Sequence, residues 1–127
     1  MTQARILVVE DHVLLRDRLV GLLAENGARV IGVAGDGECA MAEACALDPD
    51  VVLLDLSLPD CSGLDVLKTL QQSAPRTKVI ILTAYEDAEL ERICLAAGAY
   101  AFVGKSRLRP ELEAALARVS TNEVANA

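Results

Sequence analysis

Residues 51–55 read Val51-Val52-Leu53-Leu54-Asp55, and this stretch decides the fold. Four apolar residues follow one another without the polar alternation of a half-exposed strand. Such a run fits a strand buried on both faces of a sheet. It stops on a carboxylate, which puts Asp55 at the rim of that sheet. Leu56-Ser57-Leu58-Pro59-Asp60-Cys61-Ser62-Gly63 then reads as a loop ending in turn residues.

The same pattern recurs on either side. Upstream, Arg5–Val9 carries Ile6-Leu7-Val8-Val9 and ends on Glu10-Asp11. Downstream, Lys78–Thr83 carries Val79-Ile80-Ile81-Leu82 and ends on Thr83. Arg29–Ala34 is rich in β-branched residues, and the weaker run Tyr100–Gly104 leads into Lys105. Helical patterns fill the gaps. Val13–Glu25 places Leu15, Leu19, Leu22 and Leu23 on one face, and Asn26-Gly27 stops it. Asp36 can cap a helix over Gly37–Leu47 with Ala40, Ala44 and Leu47 inward. Ser62 can cap Gly63–Ser73, with Asp65 in a capping-box-like position and Leu64, Leu67 and Leu70 on one side. Asp87–Ala97 turns Leu90, Ile93, Cys94 and Ala97 inward. Pro110 suits the first turn of a last helix reaching about Val119, with Leu112, Ala115, Leu116 and Val119 on its inner face. Residues 120–127 read as a polar tail expected to fray.

Apolar strands alternating with amphipathic helices predict an α/β fold: a doubly wound, five-stranded parallel sheet with five helices. The expected strand order is 2-1-3-4-5, the flavodoxin-like arrangement. The chain reads as one domain over 1–127, with a core of about 5–119.

Composition narrows the function. Of 127 residues, 53% are hydrophobic, with one Phe, two Tyr and no Trp, so the core must be aliphatic. The formal net charge of -7 argues against direct nucleic-acid binding, which needs a basic face. No apolar run nears the roughly 20 residues that span a bilayer, and no signal-peptide core is visible, so no membrane role is expected. Cys39, Cys45, Cys61 and Cys94 show no CxxC spacing, and the chain has a single His, which disfavours zinc. They read as free thiols in a reducing, cytoplasmic setting, with Cys61 the one expected within reach of oxidants.

Doubly wound sheets bind ligands at the carboxyl ends of their strands, near the point where strand order reverses. Those ends deliver Glu10, Asp11, Asp55, Thr83 and Lys105. Three clustered carboxylates repel, and a proton or cation must compensate. A hard divalent ion on oxygen ligands suits them, and Mg²⁺ in particular. With Lys105 as a positive charge and Thr83 as a hydroxyl donor, the set fits an incoming dianion and phosphoryl transfer to Asp55. Each residue also has a plainer reading. Glu10 and Asp11 can start a helix, Thr83 can end a strand, and Lys105 can be a solvated loop residue. Their convergence on one rim favours the site. His12 reads as a bystander, Asp60 as a turn residue and Asp65 as a cap. Glu86, Asp87, Glu89 and Glu91 read as a solvated face at a helix start.

Val8-Val9-Glu10-Asp11, Leu53-Leu54-Asp55-Leu56-Ser57-Leu58-Pro59, Leu82-Thr83-Ala84, and Ala97-Gly98-Ala99 followed by Lys105 occur in order, mostly at strand ends. In these motifs, over about Arg5–Val119, the chain resembles the receiver domain of two-component response regulators. The resemblance implies that Asp55 is phosphorylated and that Lys105 pairs with a phosphoryl oxygen. It implies Mg²⁺ on Asp11, Asp55 and the Ser57 backbone carbonyl, with Glu10 reached through water. Thr83 and Phe102 would be the switch pair. Separately, the place of Tyr85 beside the rim, two residues after Thr83, leads to the expectation that with Ser57 it screens the phosphoryl group from water and tunes its lifetime. Phe102 stands where many members have Tyr. Ser106 follows Lys105 where many have Pro, which leaves the isomer of that peptide bond open. The implied donor is a histidine kinase or a phosphotransfer protein. The implied target is a protein or output domain, and a phosphorylation-dependent homodimer is compatible.

This reading makes the chain a phosphoacceptor switch and not an enzyme. Two alternatives stand beside it. One is a receiver fragment of a DNA-binding transcription regulator. The other is a Mg²⁺-dependent hydrolase working through an aspartyl phosphate.

Overall fold

The structure is a computed structural model; it describes residues 3–126, with side chains through Ser120. Strands β1 (Arg5–Val9), β2 (Arg29–Ala34), β3 (Val51–Asp55), β4 (Lys78–Thr83) and β5 (Ala101–Gly104) form one parallel sheet in the order β2-β1-β3-β4-β5. They alternate with α1 (Val13–Glu25), α2 (Gly37–Leu47), α3 (Gly63–Ser73), α4 (Ala88–Ala96) and α5 (Leu108–Asn126). The expected strand order is the observed one. β3 sits at the centre, paired with β1 on one side and β4 on the other.

The uninterrupted apolar runs have a simple cause. Successive strand residues face opposite sides, and both sides are covered. Ile6, Val8, Val51, Leu53, Ile80 and Leu82 join the core beneath α1 and α5. Leu7, Val9, Val52, Leu54, Val79 and Ile81 join the core beneath α2, α3 and α4. All twelve are at most 1% exposed.

The helix faces match the expected periodicity with local exceptions. Leu19, Leu22 and Leu23 anchor α1, and Ala40 and Ala44 anchor α2. Leu15, Leu47 and Leu64 are only half-buried, while Val66 is buried on α3 where the spacing does not place it. Asp36 and Ser62 cap α2 and α3 through their side chains, accepting from Cys39 N–H and Leu64 N–H. Asp87 lies outside α4 as its cap, accepting from Glu89 N–H. On α4 only Cys94 is buried. Ile93, expected to face inward, is 39% exposed. A helix this short turns a single narrow stripe to the sheet, and Cys94 occupies it with the partly buried Leu90 one turn earlier.

A 3₁₀ turn over Lys105–Arg107 precedes α5, which opens at Leu108 with Pro110 in its first turn, as expected. The end of the helix differs. The helix then continues past Val119 to Asn126. Its polar composition suggests a fraying tail, but this segment holds no Gly or Pro to stop a helix. Ala127 lies outside the described residues. The described residues contain no cis peptide bond, so Lys105–Ser106 is trans. Among them, no helix is long and apolar enough to cross a membrane.

Candidate functional site

The strand register assembles the rim. Val9 pairs with Leu54, so Glu10 and Asp55, one residue further on each strand, arrive side by side. Asp55 pairs with Leu82, and Thr83 pairs with Gly104, so Lys105 follows at the same level. Glu10, Asp55 and Thr83 are 1%, 2% and 1% exposed, while Asp11 is open to solvent. Carboxylate oxygens of Glu10, Asp11 and Asp55 lie within 4.8 Å of one another.

Each oxygen of the central acid has a partner. The Ser57 N–H donates to Asp55 Oδ1 at 3.0 Å. The Lys105 ammonium donates to Asp55 Oδ2 at 3.1 Å. The same ammonium stands 3.1 Å from Glu10 Oε1, so it bridges the two buried acids. Glu10 Oε2 accepts from the His12 N–H at 3.1 Å. Glu10 Oε1 has charge contact with Lys105 but no aligned hydrogen bond, and it is fully buried.

Electrostatics follow from this crowding. Burial pushes the Glu10 carboxyl above its usual range; the His12 N–H opposes the rise, and the charge of Asp55 adds to it. For Lys105, burial works against the charged form. Close contact with the Glu10 and Asp55 carboxylates and their negative charge outweigh it, so its net shift is upward and it stays an ammonium.

The donor set fits a hard divalent cation. It consists of oxygens alone, it carries excess negative charge, and Glu10 Oε1 is a buried acceptor without a hydrogen-bond donor. Glu10, Asp11 and Asp55 are the residues able to hold such an ion.

The other expected residues fall around this centre. Thr83 Oγ1 accepts from the Tyr85 N–H at 2.9 Å. Tyr85 itself is 65% exposed, so its backbone, not its ring, braces Thr83. Phe102 is half-buried against the α2–α4 side of the core. It also lines a cavity of about 320 Å³ with Glu86, Asp87, Glu91, Arg107 and Glu111. Ser57 pairs with Ser62 across the neck of the loop after β3. The loop returns tightly enough that a Cβ on Gly63 would stand 2.3 Å from the Asp55 carbonyl oxygen, so only glycine fits there. His12 caps α1, its Nδ1 accepting from Leu15 N–H at 3.3 Å. Asp65 is an exposed first-turn acid of α3.

Two contacts go beyond what the motifs imply. Lys105 bridges Glu10 as well as Asp55, which the neighbouring strand ends could have suggested. Asp60, read as a turn residue, bonds the start of α2. Nothing local in the sequence announces that contact.

Residues 6–117 match the response regulator receiver domain family. The chain belongs to that family. It is 38% identical over 102 residues to the response regulator GacA of Pseudomonas viridiflava, covering 80% of this chain and 48% of that protein. The receiver spans about half the length of the curated regulators it matches first. Among solved structures, the receiver domain of the putative response regulator NarL from Mycobacterium tuberculosis superposes with a TM-score of 0.86 at 29% identity. That match covers 95% of this chain and 98% of the other. A CheX–CheY–BeF₃–Mg²⁺ complex from Borrelia burgdorferi matches with a TM-score of 0.86 at 26% identity, covering 91% and 88%. The receiver is thus a phosphoacceptor module of two-component signalling with an acidic cluster at the sheet's carboxyl rim.

Proposed function

We propose that Asp55 accepts a phosphoryl group from a histidine kinase or phosphotransfer protein, and that the chain is a switch and not a turnover enzyme. One observation carries this reading: Asp55 is buried, held by Ser57 N–H on one oxygen and Lys105 on the other, beside Glu10 and Asp11. An Asp55 oxygen attacks phosphorus, the donor's P–N bond breaks, and the departing imidazole takes up a proton. Lys105 is placed to follow from Asp55 onto a phosphoryl oxygen. Mg²⁺, held by Asp11, Asp55 and the Ser57 carbonyl with Glu10 through water, would neutralise charge on the transferring group.

Thr83 is the hydroxyl for the phosphoryl oxygens: its Oγ1 accepts from the Tyr85 N–H, which leaves its own O–H to donate. Movement there reaches Phe102 and the face of α4, β5 and α5. The result is a two-state element biased by a local charge event, with Ser57 and Tyr85 setting its lifetime. The working compartment is the cytoplasm, and the target is a protein or output domain. The length of GacA relative to this match favours a second reading, a receiver within a longer regulator. Sequencing the gene upstream of the Met1 codon and downstream of the Ala127 codon decides between them.

The test is intact mass after incubation with acetyl phosphate, with and without Mg²⁺, on wild type and Asp55→Asn. A single base-labile adduct of one phosphoryl group, needing both Mg²⁺ and Asp55, is expected. An adduct that survives Asp55→Asn, or continuous turnover of the donor without an adduct, overturns the proposal.

A further inference from the structure

Helix α2 opens with four backbone N–H groups that the helix cannot satisfy itself. The N-cap Asp36 side chain accounts for one: its Oδ1 accepts from Cys39 at 2.7 Å, while its carbonyl takes the first ordinary helical bond, from Ala40 at 3.0 Å. The first two amides go to another part of the chain. Gly37 N–H donates to Asp60 Oδ1 at 2.8 Å, and Glu38 N–H donates to Asp60 Oδ2 at 3.1 Å. One carboxylate therefore clasps the start of α2 with both oxygens, where the helix dipole also favours it. The Gly37 bond holds the Asp60 carboxyl below its usual range, against some desolvation and with help from Glu38.

The seat is built for close approach. A Cβ on Gly37 would stand 2.2 Å from Cys61 Sγ. With any residue but glycine there, the Cys61 side chain has to move, beside the Asp60 carboxylate that makes the clasp. Asp60 and Cys61 form the tip of the loop that begins at Asp55. The root of that loop is fixed by Gly63 N–H to the Leu56 carbonyl at 2.8 Å, and its neck by the Ser57–Ser62 pair. The tip has Asp60.

We propose that Asp60 is a positioning residue for the phosphoacceptor loop: its clasp on α2 holds the Ser57 peptide where a cation at Asp55 needs it. This rests on the phosphoacceptor reading above. Without the clasp the loop samples more backbone conformations, and each binding event must order them. The loss then falls on cation affinity and not on the chemical step.

The test uses the whole chain with Asp60→Ala, Gly37→Ala, and Gly37→Ala combined with Cys61→Ala. Mg²⁺ binding is measured by calorimetry, amide exchange at Gly37 and Glu38 by NMR, and acetyl-phosphate labelling across Mg²⁺ concentrations by intact mass. Asp60→Ala is expected to weaken Mg²⁺ binding about 10-fold, the scale of lost support behind a metal ligand. Its labelling rate should recover at saturating Mg²⁺, and both amides should exchange faster. Gly37→Ala should weaken Mg²⁺ binding in the same way from the helix side, and Cys61→Ala should rescue it. Unchanged Mg²⁺ affinity in Asp60→Ala, or a labelling loss equal at all Mg²⁺ concentrations, overturns the clasp. If wild type takes no phosphoryl group, the phosphoacceptor reading falls instead, and calorimetry with amide exchange still judges the clasp.

Discussion

Leu53 and Asp55 stand two positions apart on β3 and are 1% and 2% exposed, yet their burial has opposite energetic signs. Leu53 leaves water to join the aliphatic layer beneath α1 and α5, which is favourable in proportion to the area removed. Asp55 leaves water as a charge beside Glu10, and Lys105 compensates both acids at once. Leu53 in the sheet interior and Asp55 at its rim are equally dry. The interior supplies stability, and the rim draws on it to hold like charges together. A domain can keep such a site because β1, β3 and β4 enter the rim from almost fully buried runs.

The largest expected effect tests the interior. Leu53→Ala should lower unfolding free energy by about 3 kcal/mol, lost transfer energy plus a cavity. Chemical denaturation checks it, and a loss under about 1 kcal/mol would mean that the sheet centre is not the main support. A smaller effect of opposite sign tests the rim. Glu10→Gln, without divalent cation, should raise stability by roughly 1 kcal/mol, the scale of desolvating one buried polar group. If it destabilises, the Lys105 bridge outweighs the burial of Glu10, and the contrast fails.

The smallest effect is a slope with pH. The Glu10 carboxyl is raised in the folded chain, chiefly by burial, so the native state takes up its proton before the unfolded chain does. As pH falls from neutral toward the ordinary Glu value of about 4.3, the folded state binds more protons, and this residue's contribution to stability rises. Metal-free wild type should therefore hold its thermal midpoint better over that window than Glu10→Gln. Identical pH profiles would remove the argument.

Strand order, helix faces and rim residues were legible because they rest on local patterns. The Val51–Leu54 run fits a strand covered on both faces, and four of the five strand ends announced a polar residue, the exception being Gly35 after β2. What escaped reading depends on chain segments meeting from far apart. No periodicity tells Asp60 that the amides of Gly37 and Glu38 will need an acceptor. Nor does it show that α4 is too short to bury Ile93 together with Cys94. The extra turns of α5 were hidden for another reason: polar residues such as Ser120 look like tail, but nothing among them ends a helix.

Helix α4 fully buries one side chain, the thiol-bearing Cys94, and packs Leu90 partly against the same core. Its outer surface is therefore nearly free of folding duty. Substitutions at Ile93 or Leu95 change what the helix presents without disturbing the layers beneath. In evolutionary terms this is a panel whose wording can be rewritten while the frame stays fixed. Duplicated copies of such a domain could diverge in whom they address long before they diverge in how they fold.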